Sequence, residues 1–126
     1  MQNRLNVLIV DDDMINLKLL KSMLSKNELV ENIIEASNGA EAVNTLKARD
    51  DIDLVLLDII MPIMNGTEAL KVIRSDQNIK QVPIIILTTD ETKKSEALEL
   101  GANGFLMKPV RSGDLTQQIK TMASIS

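Results

Sequence analysis

The 126 residues hold 14 Lys and Arg against 18 Asp and Glu, a net charge of −4, with 44% apolar residues and neither cysteine nor histidine. This is the make-up of one domain, residues 1–126, able to bury a core, and its acidic balance argues against a nucleic-acid or anionic-membrane binder. Without cysteine there is no disulfide framework, which fits the cytoplasm; without histidine, Ser-His-Asp catalysis, histidine-ligated zinc and phosphohistidine chemistry within the chain are excluded.

Residues 5–10 form a continuous β-type run, as in parallel strands buried on both faces. Residues 14–26 follow as a helix, with Ile15, Leu19, Leu20, Met23 and Leu24 on one stripe. A short second strand is predicted over 33–36. Asn38 then caps a helix, with Glu41 three residues later in a capping-box-like arrangement. The third strand covers 54–57, and Asn65 with Glu68 repeats the cap before a helix to about Arg74. Residues 83–88 are the fourth strand, and a helix over 91–100 stops at Gly101. The fifth strand spans 104–107 and the last helix 113–122. No apolar run approaches the ~18 residues of a membrane span, and no signal-peptide pattern opens the chain.

Strands and helices in strict alternation indicate a doubly wound α/β domain. Right-handed crossovers put every loop that follows a strand on one edge of its sheet, where such folds place their ligands. That edge gathers Asp11-Asp12-Asp13, residues 58–64, residues 88–90 and Lys108-Pro109. Crowded carboxylates repel one another unless a divalent cation neutralises them, so the cluster suits Mg²⁺ and phosphate chemistry. Attack by a carboxylate on phosphorus needs an acceptor oxygen held in line and cations on the equatorial oxygens. Phe105 is the sole aromatic residue, which leaves no stacking platform for nucleobases or flavins.

Taken singly, these residues have plainer readings. Asp13 caps the helix that follows it, Asp58 is a solvated turn residue, and Thr88 reflects β-propensity. Lys108 is a solvated lysine and Phe105 a core residue. Their ordered occurrence is what carries meaning. Asp11-Asp12, Asp58-Ile59-Ile60-Met61-Pro62, Asn65-Gly66, Thr88 and Lys108-Pro109 together resemble the receiver domain of bacterial two-component response regulators, along essentially the whole chain.

The resemblance implies a flavodoxin-like (βα)5 three-layer sandwich with a five-stranded parallel sheet of order 2-1-3-4-5, the order shared by the family's chemotaxis members. It implies that Asp58 accepts a phosphoryl group from a sensor histidine kinase or a histidine phosphotransfer protein. Asp12 and Asp58 would hold Mg²⁺ directly, Asp11 largely through water, and the Ile60 backbone carbonyl would be a further ligand. Thr88 would hydrogen-bond the phosphoryl group, Lys108 would pair with the carboxylate or the phosphoryl group, and Phe105 would be the switch aromatic. The Lys108–Pro109 bond is expected to be cis. Ile60 and Asp90 fall where water access to the phosphoryl group is controlled. The implied output is a protein target bound by the fourth helix, fifth strand and fifth helix, with no enzymatic turnover beyond self-phosphorylation and self-dephosphorylation. The resemblance fits a stand-alone regulator or the receiver part of a longer protein.

Two other functions stay open. A phosphatase of the haloacid-dehalogenase type also starts from a strand-end D-x-D, loosely matched by Asp11-Asp12-Asp13, with a later Thr and Lys in the same order. It leaves the Asp58 motif unexplained, and the chain offers neither a cap domain nor a second acidic pair after the lysine. The other is a receiver-type interaction module that signals without phosphorylation; the intact acidic, Thr and Lys positions weigh against it.

Overall fold

Strand β1 (Leu5–Val10) has only Asn6 partly exposed, and β3 (Leu54–Asp58) and β4 (Ile84–Thr88) are buried throughout. A strand apolar on both faces needs a covering layer on each side, which parallel crossovers through helices supply. A computed structural model describes residues 4–125. Its five-stranded parallel sheet has the order β2-β1-β3-β4-β5, with β2 (Val30–Ala36) and β5 (Gly104–Met107) at the edges. Helices α1 (Met14–Ser25), α2 (Gly39–Ala48), α3 (Gly66–Ser75), α4 (Lys94–Glu99) and α5 (Ser112–Ile125) complete the expected three-layer sandwich.

Alternate side chains along each strand feed opposite cores. Leu8, Val10, Val55, Leu57, Ile84 and Ile86 meet α2, α3 and α4 through Val43, Leu46, Leu70, Ile73 and Ala97. Val7, Ile9, Leu54, Leu56, Ile85 and Leu87 meet α1 and α5 through Leu17, Leu20, Leu24, Leu115 and Ile119. Burying one such side chain stabilises by about 1.5–3 kcal/mol. The two cores together hold the carboxyl ends of β1, β3, β4 and β5 at one edge.

Several details depart from the sequence expectation. Strand β2 starts at Val30 rather than Ile33, because an edge strand tolerates the polar Glu31 and Asn32. Strand β4 starts at Ile84: Pro83 has no N–H to donate, although its carbonyl accepts from Val55 N at 2.9 Å. On α1 the buried stripe is Leu17, Leu20 and Leu24, whereas Ile15 and Leu19 face solvent. This helix carries more apolar residues than one face can bury, and the sheet selects Leu17. The fourth helical segment opens as a 3-10 turn, Glu91–Lys93, and continues as the six-residue α4. Asp90 tightens that turn by accepting from Thr92 N. The last helix is longer than expected, beginning at Ser112 and reaching Ile125. Asn38 accepts from Glu41 N, but Glu41 turns to accept from Ser37 Oγ, so only Asn65 and Glu68 form a complete capping box.

Candidate functional site

Asp11 follows the last residue of β1, and its backbone N–H donates to Ala36 O at 3.1 Å, which extends the sheet pairing by one step. Its side chain is 1% exposed. Oδ1 accepts from Asp13 N at 2.9 Å and Oδ2 from Lys108 Nζ at 2.9 Å. Asp13 caps α1 by accepting from Ile15 N, as expected, and takes no part in the cluster. Asp12 lies between them, exposed, with no hydrogen bond or ion pair among the described residues.

Asp58 ends β3 and is 6% exposed. Burial pushes its carboxyl above the ordinary carboxylate range. The Lys108 hydrogen bond works in the opposite direction, and the Asp11 charge adds to the rise. Lys108 Nζ is 3.0 Å from Asp58 Oδ1. Burial alone would lower the ammonium, but hydrogen bonds to Asp11 and Asp58, and their charges, raise it above its ordinary value. The lysine's backbone N–H donates to Thr88 O at 2.8 Å, and the Lys108–Pro109 bond is cis, as expected.

One carboxylate oxygen from each of Asp11, Asp12 and Asp58 can be chosen so that all lie within 4.8 Å of one another. An all-oxygen donor set of this size, open on the Asp12 side, fits a hard divalent cation that keeps several waters. Thr88 ends β4 and is 2% exposed. Its Oγ1 accepts from Asp90 N at 3.1 Å, which uses a lone pair and leaves the hydroxyl hydrogen available for donation.

The loop after Asp58 is shaped by Asn65-Gly66. A Cβ on Gly66 would sit 2.2 Å from the Asp58 carbonyl oxygen, so only glycine allows the approach by which Gly66 N donates to Ile59 O at 2.7 Å. Ile60 and Ile63 in this loop are 69% and 83% exposed, and Ile63 sits at φ 67, a region a β-branched residue rarely adopts. Phe105 stands apart from the carboxylates. It pairs with Ile86 in the sheet, packs half-buried against the α2–α3–α4 core, and has Lys94 Nζ 5.8 Å from its ring centroid.

The structure therefore brings Asp11, Asp12, Asp58 and Lys108 together, with Thr88 tied in through the Lys108 backbone. Three contributors escaped the sequence reading. Asp90, whose sequence position points to water access, also holds the Thr88 hydroxyl oxygen through its N–H. Lys94 carried no signal. Arg74, in the last turn of α3, donates to Gly101 O, Lys80 O, Val82 O and Asn103 Oδ1 at 2.7–2.9 Å, clamping the α4–β5 loop to the approach to β4. Its helical position gave no hint of that.

Comparison with known proteins agrees with this geometry. Residues 7–120 match the response regulator receiver domain family. Chemotaxis protein CheY1 of Helicobacter pylori is 33% identical over 120 residues, covering 94% of this chain and 96% of that protein. The chain spans only 18% of the response regulator ARR21 of Arabidopsis thaliana, at 36% identity over 115 residues that make up 90% of this chain. Among solved structures, the receiver domain of sensor histidine kinase PA1611 from Pseudomonas aeruginosa has a TM-score of 0.86 at 25% identity, covering 96% of this chain and 98% of that one. That structure holds a magnesium ion in its active-site cleft. The CheX–CheY–BeF3–Mg complex of Borrelia burgdorferi gives 0.86 at 32% identity, covering 94% of this chain and 89% of the other.

The chain belongs to the response regulator receiver domain family, a family of phosphorelay signalling proteins. In the Borrelia burgdorferi complex the receiver is bound to a second protein, CheX. Among the described residues, no helix is long and apolar enough to cross a membrane.

Proposed function

We propose that Asp58 is the phosphoacceptor of this receiver, and that residues 1–126 act in the cytoplasm as one receiver unit. The observation that carries the assignment is the Lys108 ammonium shared by two buried carboxylates, Asp11 and Asp58, beside an exposed and uncommitted Asp12. Both Asp11 oxygens are occupied, by Asp13 N and by Lys108, so Asp11 is poorly placed as a nucleophile. That favours phosphorelay over dehalogenase-type phosphatase chemistry.

The donor is a phosphohistidine on a partner kinase or phosphotransfer protein. The histidine N–P bond breaks as an Asp58 oxygen bonds to phosphorus, and the histidine nitrogen keeps the electron pair. Asp12 and Asp58 would hold Mg²⁺ directly, Asp11 would act through water and the Ile60 carbonyl would be a further ligand; the ion supplies positive charge against the phosphoryl oxygens. Lys108 is a point charge already in the crevice, able to move from the carboxylates to the incoming phosphoryl group. Thr88 donates its hydroxyl hydrogen to a phosphoryl oxygen. Reaching that oxygen draws the Thr88 side chain toward Asp58 and away from Asp90 N, and the space it leaves lets Phe105 turn inward, which changes the surface of α4, β5 and α5 presented to a downstream protein. The half-buried position of Phe105, between β4 and α4, supports that route.

Apolar side chains are exposed on the two segments that lead away from the site carboxylates: Met14, Ile15 and Leu19 on α1 after Asp11-Asp12, and Ile60 and Ile63 in the loop after Asp58. Burial of such side chains beside the crevice is what would stabilise a docked phosphodonor protein. Acetyl phosphate with Mg²⁺ tests the assignment directly: intact mass should rise by one phosphoryl group, mapped to Asp58 and absent in Asp58→Asn. Label on Asp11, or unchanged labelling of the variant, would overturn it.

A further inference from the structure

The segment between the site hydroxyl and the lone aromatic is one continuous chain of contacts. Asp90 N donates to Thr88 Oγ1 at 3.1 Å. Asp90 Oδ1 in turn accepts from Thr92 N at 2.9 Å and Thr92 Oγ1 at 2.5 Å, and Asp90 O accepts from Lys93 N at 3.1 Å. The next residue, Lys94, closes the 3-10 turn by donating its backbone N–H to Glu91 O and lays its ammonium over the Phe105 ring.

Helix stability does not account for a lysine at that position. Lys94 is the first residue of α4, where a positive charge opposes the helix dipole. It is exposed and forms no salt bridge among the described residues. Phe105 is the only aromatic face in the chain, and it has no hydroxyl through which a hydrogen bond could hold it. Among the described residues, the Lys94 ammonium is the one cation over the ring.

We infer that Lys94 is a positioning residue: it holds Phe105 in the resting arrangement by a cation–π contact, and the Asp90–Thr92 turn connects that hold to the Thr88 hydroxyl. This rests on the phosphoacceptor reading above and adds to it the element that sets the resting bias. When the Thr88 side chain moves toward a group bound at Asp58 to donate its hydroxyl hydrogen, its oxygen is drawn away from Asp90 N, the turn that carries Lys94 is released, and the ring is free to move. The contact therefore opposes the activated state, and its loss lowers the cost of reaching that state.

The sign separates this role from simple charge attraction. If Lys94 acted only as a nearby positive charge, removing it would weaken binding of an anion at Asp58. If it restrains Phe105, removing it tightens binding, by about two- to fivefold for an exposed cation–π contact. The experiment titrates the full chain with beryllofluoride in excess Mg²⁺ and follows bound fluoride by ¹⁹F NMR. Lys94→Met should bind about two- to fivefold tighter than wild type. Lys94→Arg, which keeps the cation, should match wild type, and Lys94→Met should have no effect when added to Phe105→Leu. In the wild type the Lys94 side-chain methylene protons next to nitrogen should be shifted upfield by the ring and lose that shift on beryllofluoride binding. Unchanged or weaker binding by Lys94→Met, or an equal effect in the Phe105→Leu background, would overturn the role of Lys94 while leaving Asp58 as acceptor. Failure of the wild type to take up beryllofluoride would overturn the phosphoacceptor reading and this inference with it.

Discussion

Replacing Lys108 by methionine keeps an unbranched stem but removes a charge lying 2.9 Å from Asp11 Oδ2 and 3.0 Å from Asp58 Oδ1. The two carboxylates then face each other with no cation between them, and Asp11 is almost wholly buried. Breaking a buried pair by removing one partner costs about 3–5 kcal/mol. Two features soften the loss. The crevice opens to solvent beside Asp12, and burial already shifts the Asp58 carboxyl toward its neutral form, which lessens the charge left unpaired. The expected destabilisation at neutral pH without Mg²⁺ is therefore about 2–4 kcal/mol, a large share of the about 5–15 kcal/mol that stabilises a typical domain. Urea denaturation measures it. Mg²⁺ at 100 times its dissociation constant should add about 2.7 kcal/mol to either protein. At one fixed Mg²⁺ concentration the variant should gain more, because no ammonium competes for the same oxygens. A loss below about 1 kcal/mol, the worth of a surface pair, or an equal gain from Mg²⁺ in both proteins, would refute the electrostatic account of the crevice.

Asp12→Ala should weaken Mg²⁺ binding by at least the about tenfold that even outer-shell partners contribute, yet leave the metal-free protein as stable or more stable, since like-charge repulsion is relieved. Thermal melts with and without Mg²⁺ check both halves, and a large loss in the metal-free melt would make Asp12 structural. Asp58 has a raised folded-state pKa, so its contribution to stability is present below the ordinary carboxylate range and is lost as pH rises through the raised value. Stability of metal-free Asp58→Asn should lack that decline with pH; superimposable pH curves for the two proteins would contradict it. Ile60→Asn should speed loss of phosphate from Asp58 by giving the attacking water a hydrogen-bond partner, with Mg²⁺ affinity unchanged. Equal or slower decay of the phosphorylated variant at saturating Mg²⁺ would rule that out. Gly66→Ala forces a Cβ to 2.2 Å from the Asp58 carbonyl and should cost about 1–3 kcal/mol and slow phosphorylation by acetyl phosphate; wild-type melting and labelling would show that the loop yields freely.

Much of the fold is determined by the sequence alone, because the signals that place it are short-range. The apolar runs at 5–10, 54–57 and 84–88 can be buried only as central strands, and Asp13, Asn38 and Asn65 mark helix starts by their own cap chemistry. Right-handed crossovers then deliver Asp11, Asp12, Asp58, Thr88 and Lys108 to one edge without knowledge of any distance. Tertiary structure decided what each of them touches there. Lys108 reaches Asp11 across 97 residues of chain. The sheet, not the periodicity of α1, chose Leu17 over Ile15 and Leu19 for burial. The need for glycine at 66, the Arg74 clamp and the Lys94–Phe105 contact all join residues that no helix or strand period brings together. Such distances depend on how side chains of two helical layers interlock with the sheet between them, and close packing settles that only when all three layers are present.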